Sequence, residues 1–94
     1  MKNALSYKDE GNVFFKDRKY ENAVEKYQFG LDHIKDVETD EANKLKIILY
    51  QNSATSLNYL GEGTKAMDLC NKAIAINDKS WKAWFQRGLA NFKL

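Results

Sequence analysis

Polar and apolar positions along this 94-residue chain recur at helical rather than strand spacing, and the pattern divides into five helical segments. Between Ala4 and Asp17 the stripe is Ala4, Tyr7, Gly11 and Phe14. Asp17-Arg18-Lys19 breaks it. From Tyr20 to about Ile34 the series Tyr20, Ala23, Val24, Tyr27, Leu31 and Ile34 follows the i, i+3, i+4, i+7 rule of an amphipathic helix. A charged stretch, Lys35 to Asp40, offers Thr39 and Asp40 as N-caps. A long helix is predicted from Glu41 to Leu60, with Leu45, Ile48, Leu49 and Leu57 on its apolar side. Gly61 ends it as a left-handed residue. Thr64 is the expected cap of a fourth helix reaching Ile76, with Ala66, Leu69, Cys70, Ala73 and Ile74 on one face. Ser80 caps a last helix carrying Trp81, Trp84, Phe85, Gly88 and Phe92. No period-2 run and no hairpin turn signals a strand.

The small residues have their own period. Gly11 precedes Ala23 by twelve positions, as Ala54 precedes Ala66; Tyr27 and Cys70 follow those alanines at plus four, and Gly30 and Ala73 at plus seven. Gly88 lies 34 positions after Ala54. Small residues at these places allow paired helices to approach, while Tyr7, Phe14, Tyr50, Leu57 and Trp84 fill the remaining space. This pattern resembles the tetratricopeptide repeat (TPR), a helix–turn–helix unit of 34 residues. The resemblance covers nearly the whole chain. It implies an all-α fold of antiparallel helix pairs in a right-handed superhelix, about two and a half repeats and five helices. Repeat one spans 4–37 with an insertion to about 43, repeat two 47–80, and a half repeat three 81–94. The insertion, about nine residues around Lys35 to Asn43, is similar to that of large immunophilins of the FKBP and cyclophilin-40 types, as is Cys70-Asn71-Lys72-Ala73-Ile74. The family's usual proline after the second helix is absent. The array stops half a repeat early, which leaves Leu89, Phe92 and Leu94 uncovered and points to a truncated domain able to self-associate through that end.

Composition narrows the possibilities. There is no proline and there are five glycines, which suits long uninterrupted helices. A net charge of +2 is too small to mark a nucleic-acid binder. No apolar run approaches the roughly 20 residues of a membrane span, and no apolar segment behind Met1-Lys2-Asn3-Ala4 marks a signal peptide. The single cysteine, Cys70, cannot form an intramolecular disulfide and suits a reducing compartment, the cytoplasm with the nucleus as a further location. One Cys and one His, His33, cannot supply a typical zinc set, so neither metal nor cofactor is expected. Asp36, Glu38, Asp40 and Glu41 read as a solvated linker. Cys70 reads as a buried structural thiol, His33 as a surface residue, and nothing resembles a nucleophile–base pair. No enzyme activity is expected within these residues. Most of the twelve aromatics fall at core positions, with Phe15 pointing away from the core stripe of its helix.

The remaining chemistry lies on the first helix of each pair. Lys8 and Asn12 are stacked at i, i+4 beside the Tyr7–Phe14 stripe. Asn52 holds the equivalent side of the third helix, and Lys82 begins the fifth. Ammonium and carboxamide groups together suit a carboxylate, through charge and orientable N–H donors. The set resembles the dicarboxylate clamp of TPR co-chaperones, whose five positions fall on Lys8, Asn12, Asn52, Lys82 and Gln86. The resemblance implies binding of the C-terminal Glu-Glu-Val-Asp tail of heat-shock protein 90 or 70, with Phe15, Asn58, Tyr59 and Arg87 extending the groove. No nucleic-acid or membrane partner is expected. Lys82-Ala83-Trp84-Phe85-Gln86-Arg87-Gly88 matches the family's stretch except at Gln86, where arginine is usual. Exchanging a charge-assisted bond of about 1.5–3 kcal/mol for a neutral one of about 1 kcal/mol lowers affinity by about tenfold. Gln86 therefore keeps a second reading open, a scaffold binding an internal segment of another protein. A third is a regulatory domain of an enzyme whose catalytic part, in the immunophilin setting a prolyl isomerase, lies elsewhere in a parent chain.

Overall fold

The structure, a computed structural model, describes residues 2–93. Five helices follow one another: α1 Lys2–Lys16, α2 Tyr20–Ile34, α3 Asp40–Tyr59, α4 Gly63–Ile76 and α5 Trp81–Lys93. No strand occurs among the described residues. Each helix packs on the next, and the short connections force successive helices to reverse direction. α3 also touches α1 and α5, so the first helices form one row, backed by α2 and α4.

The core lies between the rows in two clusters. One gathers Ala4, Ala23, Tyr27, Leu31, Ile34, Leu45 and Leu49. The other holds Ala54, Leu57, Ala66, Cys70 and Ala90, flanked by Val24, Leu60, Met67 and Leu69. At Gly11 the close approach foreseen from spacing is real, but its partner is an aromatic ring. A Cβ there would stand 2.5 Å from Tyr27 Cε1, so the missing side chain makes room for Tyr27. Burial pushes the Tyr27 phenol up to about 12 and the Cys70 thiol up to about 11, the latter against a smaller opposing influence from Arg87. The buried thiol is thus protonated at neutral pH.

Helix ends explain much of the chain's punctuation. Thr39 Oγ1 accepts from the Ala42 N–H at 3.1 Å, and Asp40 and Glu41 in the first turn of α3 favour its dipole. α3 closes in a Schellman motif: the Glu62 N–H reaches Leu57 O at 2.9 Å and the Gly61 N–H reaches Asn58 O at 3.1 Å, with Gly61 at φ 78°. Glu62 is at once the end of that motif and the N-cap of α4. The helix therefore starts at Gly63, and Thr64, the expected cap, lies inside it. α1 ends in the same way without a glycine. Lys19 and Arg18 donate to Phe14 O and Phe15 O at 2.9 and 3.0 Å, and Arg18 takes φ 62°. A left-handed non-glycine residue costs about 1 kcal/mol. Arg18→Gly is therefore expected to stabilise the domain by about that amount and to raise its melting temperature by about 4–8 °C, measured by thermal circular dichroism. A lower melting temperature would show that the Arg18 side chain contributes more than its backbone costs.

The insertion is split between loop and helix. Lys35–Thr39 is loop, and the remainder lengthens α3 to 20 residues against 15 in α1. Buried Lys46 holds the loop down, its Nζ lying 3.3 Å from both Lys35 O and Glu38 Oε1. Two packing expectations fail. Ile48 is exposed, while Ser53 and Ser56 are buried beside Leu45, Leu49 and Leu57; α3 is contacted by four helices, and small residues serve its close contacts. The aromatics are mostly not core. Of the twelve in the chain, Tyr27 alone is buried among the described residues, and Trp84, expected as filler, is 48% exposed. On α5 the buried residues are Ala83 and Ala90. Trp81, Phe85, Gly88 and Phe92 share the opposite face, where Trp81, Phe85 and Phe92 are exposed, Phe92 at 89%. Leu94 lies outside the described residues.

Candidate carboxylate-binding groove

The row of first helices carries a cleft of about 400 Å³. α1 contributes Asn12 and Phe15, α3 Asn52 and Thr55, α5 Lys82, and Tyr27 of α2 reaches it from the core. Three of the five clamp positions thus meet here. The Tyr27 hydroxyl donates to Asn12 Oδ1 at 2.6 Å, and Asn52 Nδ2 approaches the same oxygen at 3.4 Å. With its carbonyl oxygen engaged by two donors, Asn12 is left with its NH₂ to offer a ligand. Lys82 supplies the positive charge, its Nζ 5.8 Å from the centre of the Trp81 ring. Lys8 stands one turn before Asn12 on α1, half-buried, and does not line the cleft.

The fifth position opens into a neighbouring pocket of about 270 Å³, formed by Thr55, Asn58, Tyr59, Phe85, Gln86 and Leu89. Thr55 lines both spaces. Buried Asn58 donates from Nδ2 to the backbone carbonyl of Gln86 at 3.0 Å and to its Oε1 at 2.9 Å. Asn58 therefore joins α3 to α5 and holds the Gln86 side chain.

Phe15 lines the cleft but does not stand clear of the core. It packs against the first core cluster and meets Tyr20 and Tyr59 edge-on, at 5.3 and 5.8 Å between ring centres. Tyr20 and Tyr59 are stacked at 4.6 Å with only 3° between their planes. The end of α1, the start of α2 and the end of α3 converge there, so residues from three helices build one aromatic wall. Arg87 is not part of the groove. It faces α4, with its guanidinium 5.0 Å from the Trp84 ring centre, and lines a separate cavity with Met67, Trp84, Gly88 and Asn91. Tyr27 and Thr55 also line the cleft and were not foreseen. Gly11, beside Asn12, was the trace of Tyr27 in the sequence.

Among the described residues no group of three His, Cys, Asp or Glu is placed to hold a metal ion, and no helix is long and apolar enough to cross a membrane. His33 is exposed, with Nδ1 2.9 Å from Phe29 O and its ring 5.2 Å from that of Tyr7.

Paired helices, small residues at their contacts and a cleft along the row of first helices define a repeat module of the helix–turn–helix kind. The chain belongs to the tetratricopeptide repeat family. It is similar to the first TPR of Spaghetti (RPAP3) bound to the HSP90 peptide SRMEEVD, at 33% identity and a TM-score of 0.81, covering 98% of this chain and 68% of that one. It is also similar to the C-terminal TPR-containing domain of a Plasmodium falciparum FK506-binding protein, at 31% identity and a TM-score of 0.89, covering 96% of this chain and 64% of that one. Among curated proteins, RNA polymerase II-associated protein 3 of Xenopus laevis is 37% identical over 91 residues, which are 97% of this chain and 12% of that protein. The chain thus spans about an eighth of the length of that relative. No family model matches it.

Proposed function

We propose that the groove binds the free C-terminal carboxylate of an acidic peptide, the Glu-Glu-Val-Asp tail of heat-shock protein 90 or 70, and that the chain is a co-chaperone module. The clamp positions are Lys8, Asn12, Asn52, Lys82 and Gln86; Asn12, Asn52 and Lys82 line the cleft, Lys8 stands one turn away on α1 and Gln86 lies in the neighbouring pocket, with Phe15, Asn58 and Tyr59 as the groove's extension. The observation that carries this reading is the meeting of Asn12, Asn52 and Lys82 from three helices in one cleft. The HSP90 peptide held by the similar Spaghetti domain supports it. Titration with a peptide ending in Met-Glu-Glu-Val-Asp, and with its C-terminal amide, tests it. Amidation is expected to weaken binding at least tenfold, since it removes the charge that Lys82 and the amide donors would meet. Equal affinities, or no binding of either peptide, would sink the proposal.

The repeat boundaries 4–37, 47–80 and 81–94 are proposed with it. So is a longer parent of immunophilin type, supported by the likeness to the FK506-binding protein domain; a parent without an isomerase domain would reject that part. A second copy of this chain is the proposed partner of the α5 face, because Trp81, Phe85 and Phe92 flank Gly88, where a Cβ would have nothing within 4 Å and another helix has room to approach. Sedimentation is expected to show concentration-dependent association that Phe92→Lys abolishes. A chain that stays monomeric at high concentration would exclude it.

A further inference from the structure

Gln86 bears on specificity rather than affinity, an inference that rests on the proposed tail binding. A glutamine amide can present either its oxygen or its NH₂ to a ligand. Here the choice is determined. The backbone carbonyl of Gln86 only accepts, so the Asn58 atom 3.0 Å away is an N–H donor. That same nitrogen lies 2.9 Å from the Gln86 amide, so the Gln86 atom facing it is the oxygen. The Gln86 NH₂ is then the group left for the pocket.

The pocket wall carries no charge to accompany it. Thr55, Asn58, Tyr59, Phe85, Gln86 and Leu89 include no acidic or basic side chain. The positive charge of Lys82 belongs to the neighbouring cleft. Phe85, Leu89 and Tyr59 are exposed, so a carboxylate here would keep much of its water, but the wall offers it only neutral donors in place of the water it gives up. A neutral amide fits better. Its oxygen takes the Gln86 NH₂. Its own NH₂ has an acceptor in Thr55 Oγ1, whose single proton is already given to Gln51 O at 2.9 Å.

We propose that the groove is divided by charge: the Asn12–Asn52–Lys82 cleft takes the terminal carboxylate, and the Gln86 pocket selects an uncharged, amide-bearing side chain in the same peptide. Gln86 is the specificity-determining residue and Asn58 positions it. The ligand class is a C-terminal tail that keeps its free carboxylate and carries glutamine where a fully acidic tail carries glutamate.

The test is calorimetric titration of the domain with Met-Glu-Glu-Val-Asp and with the two peptides in which one glutamate is replaced by glutamine, each with its C-terminal amide as control. At one position the glutamine peptide is expected to bind at least threefold more tightly than the all-glutamate peptide, and amidation to weaken all three. Gln86→Arg is expected to reverse the preference, and Asn58→Leu to bring the ratio of the two affinities towards one. A wild-type preference for glutamine below threefold at both positions overturns the division, even where the tails bind well, and so does an unreversed preference in Gln86→Arg. Failure of every free tail to bind overturns the tail-binding reading itself and this inference with it.

Discussion

Tyr27→Ala is expected to leave the domain largely unfolded at temperatures where the parent is native. The ring is 1% exposed, occupies the space left by Gly11, and joins α2 to α1 through its bond to Asn12. Truncating a buried aromatic to alanine costs about 3–5 kcal/mol, against a total stability of about 5–15 kcal/mol for a domain. A chain this short has a thin core and stands toward the lower end of that range. Thermal circular dichroism measures the loss. Tyr27→Phe separates structure from recognition. It keeps the ring and removes one hydrogen bond worth about 1 kcal/mol, so the domain should remain folded with a melting temperature lower by about 4–8 °C. Without the hydroxyl, Asn12 is no longer held with its NH₂ turned to the cleft, and tail-peptide affinity should fall several-fold. Unchanged affinity in folded Tyr27→Phe would remove Tyr27 from the binding site and leave it a core residue only.

Lys82→Ala should do the reverse, disabling binding without touching stability. Lys82 is exposed at the first turn of α5, where it lines the cleft with its Nζ 5.8 Å from the Trp81 ring centre. Exposed substitutions of this kind move stability by about 0.5 kcal/mol or less. The ammonium is, however, the charged member of the cleft, and a charge-assisted bond is worth about 1.5–3 kcal/mol. The affinity for a free-carboxylate tail is expected to fall by about tenfold or more, each 1.4 kcal/mol being one factor of ten. Added salt should weaken the wild type more than the variant, because screening acts on the interaction that the variant lacks. An unaltered dissociation constant would show that the carboxylate is held elsewhere.

How much of this was legible along the chain depends on the range of the interactions concerned. The five helices were readable because each stripe is a local property, set by 3.6 residues per turn. Thr39 and Gly61 were readable as helix ends for the same reason, since caps act within a few residues. Thr64 was misread because the Schellman motif ending α3 also started α4, and a shared residue overrides the preference of a lone threonine. Phe15 was placed by helix face, and Arg87 by the resemblance to the clamp. Their true surroundings depend on Tyr20 and Tyr59 in one case, and on Trp84 and the α4 surface in the other, which belong to other helices.

The sequence by itself determined the helical class, the repeat period and the residue types that a carboxylate site requires, because period and side-chain chemistry are written residue by residue. The tertiary structure decided which of them act together. It placed Asn12, Asn52 and Lys82 in one cleft, assigned Gln86 to a neighbouring uncharged pocket, moved Arg87 to the other side of α5, and turned the amides of Asn12 and Gln86 through Tyr27 and Asn58. The physical reason is that an amide's donor and acceptor are interchangeable until its neighbours are given: the Tyr27 hydroxyl donates to Asn12 Oδ1, and Asn58 Nδ2, its polarity set by the Gln86 backbone carbonyl, donates to Gln86 Oε1. Those partners come from positions 15 and 28 residues away, which only packing brings into contact.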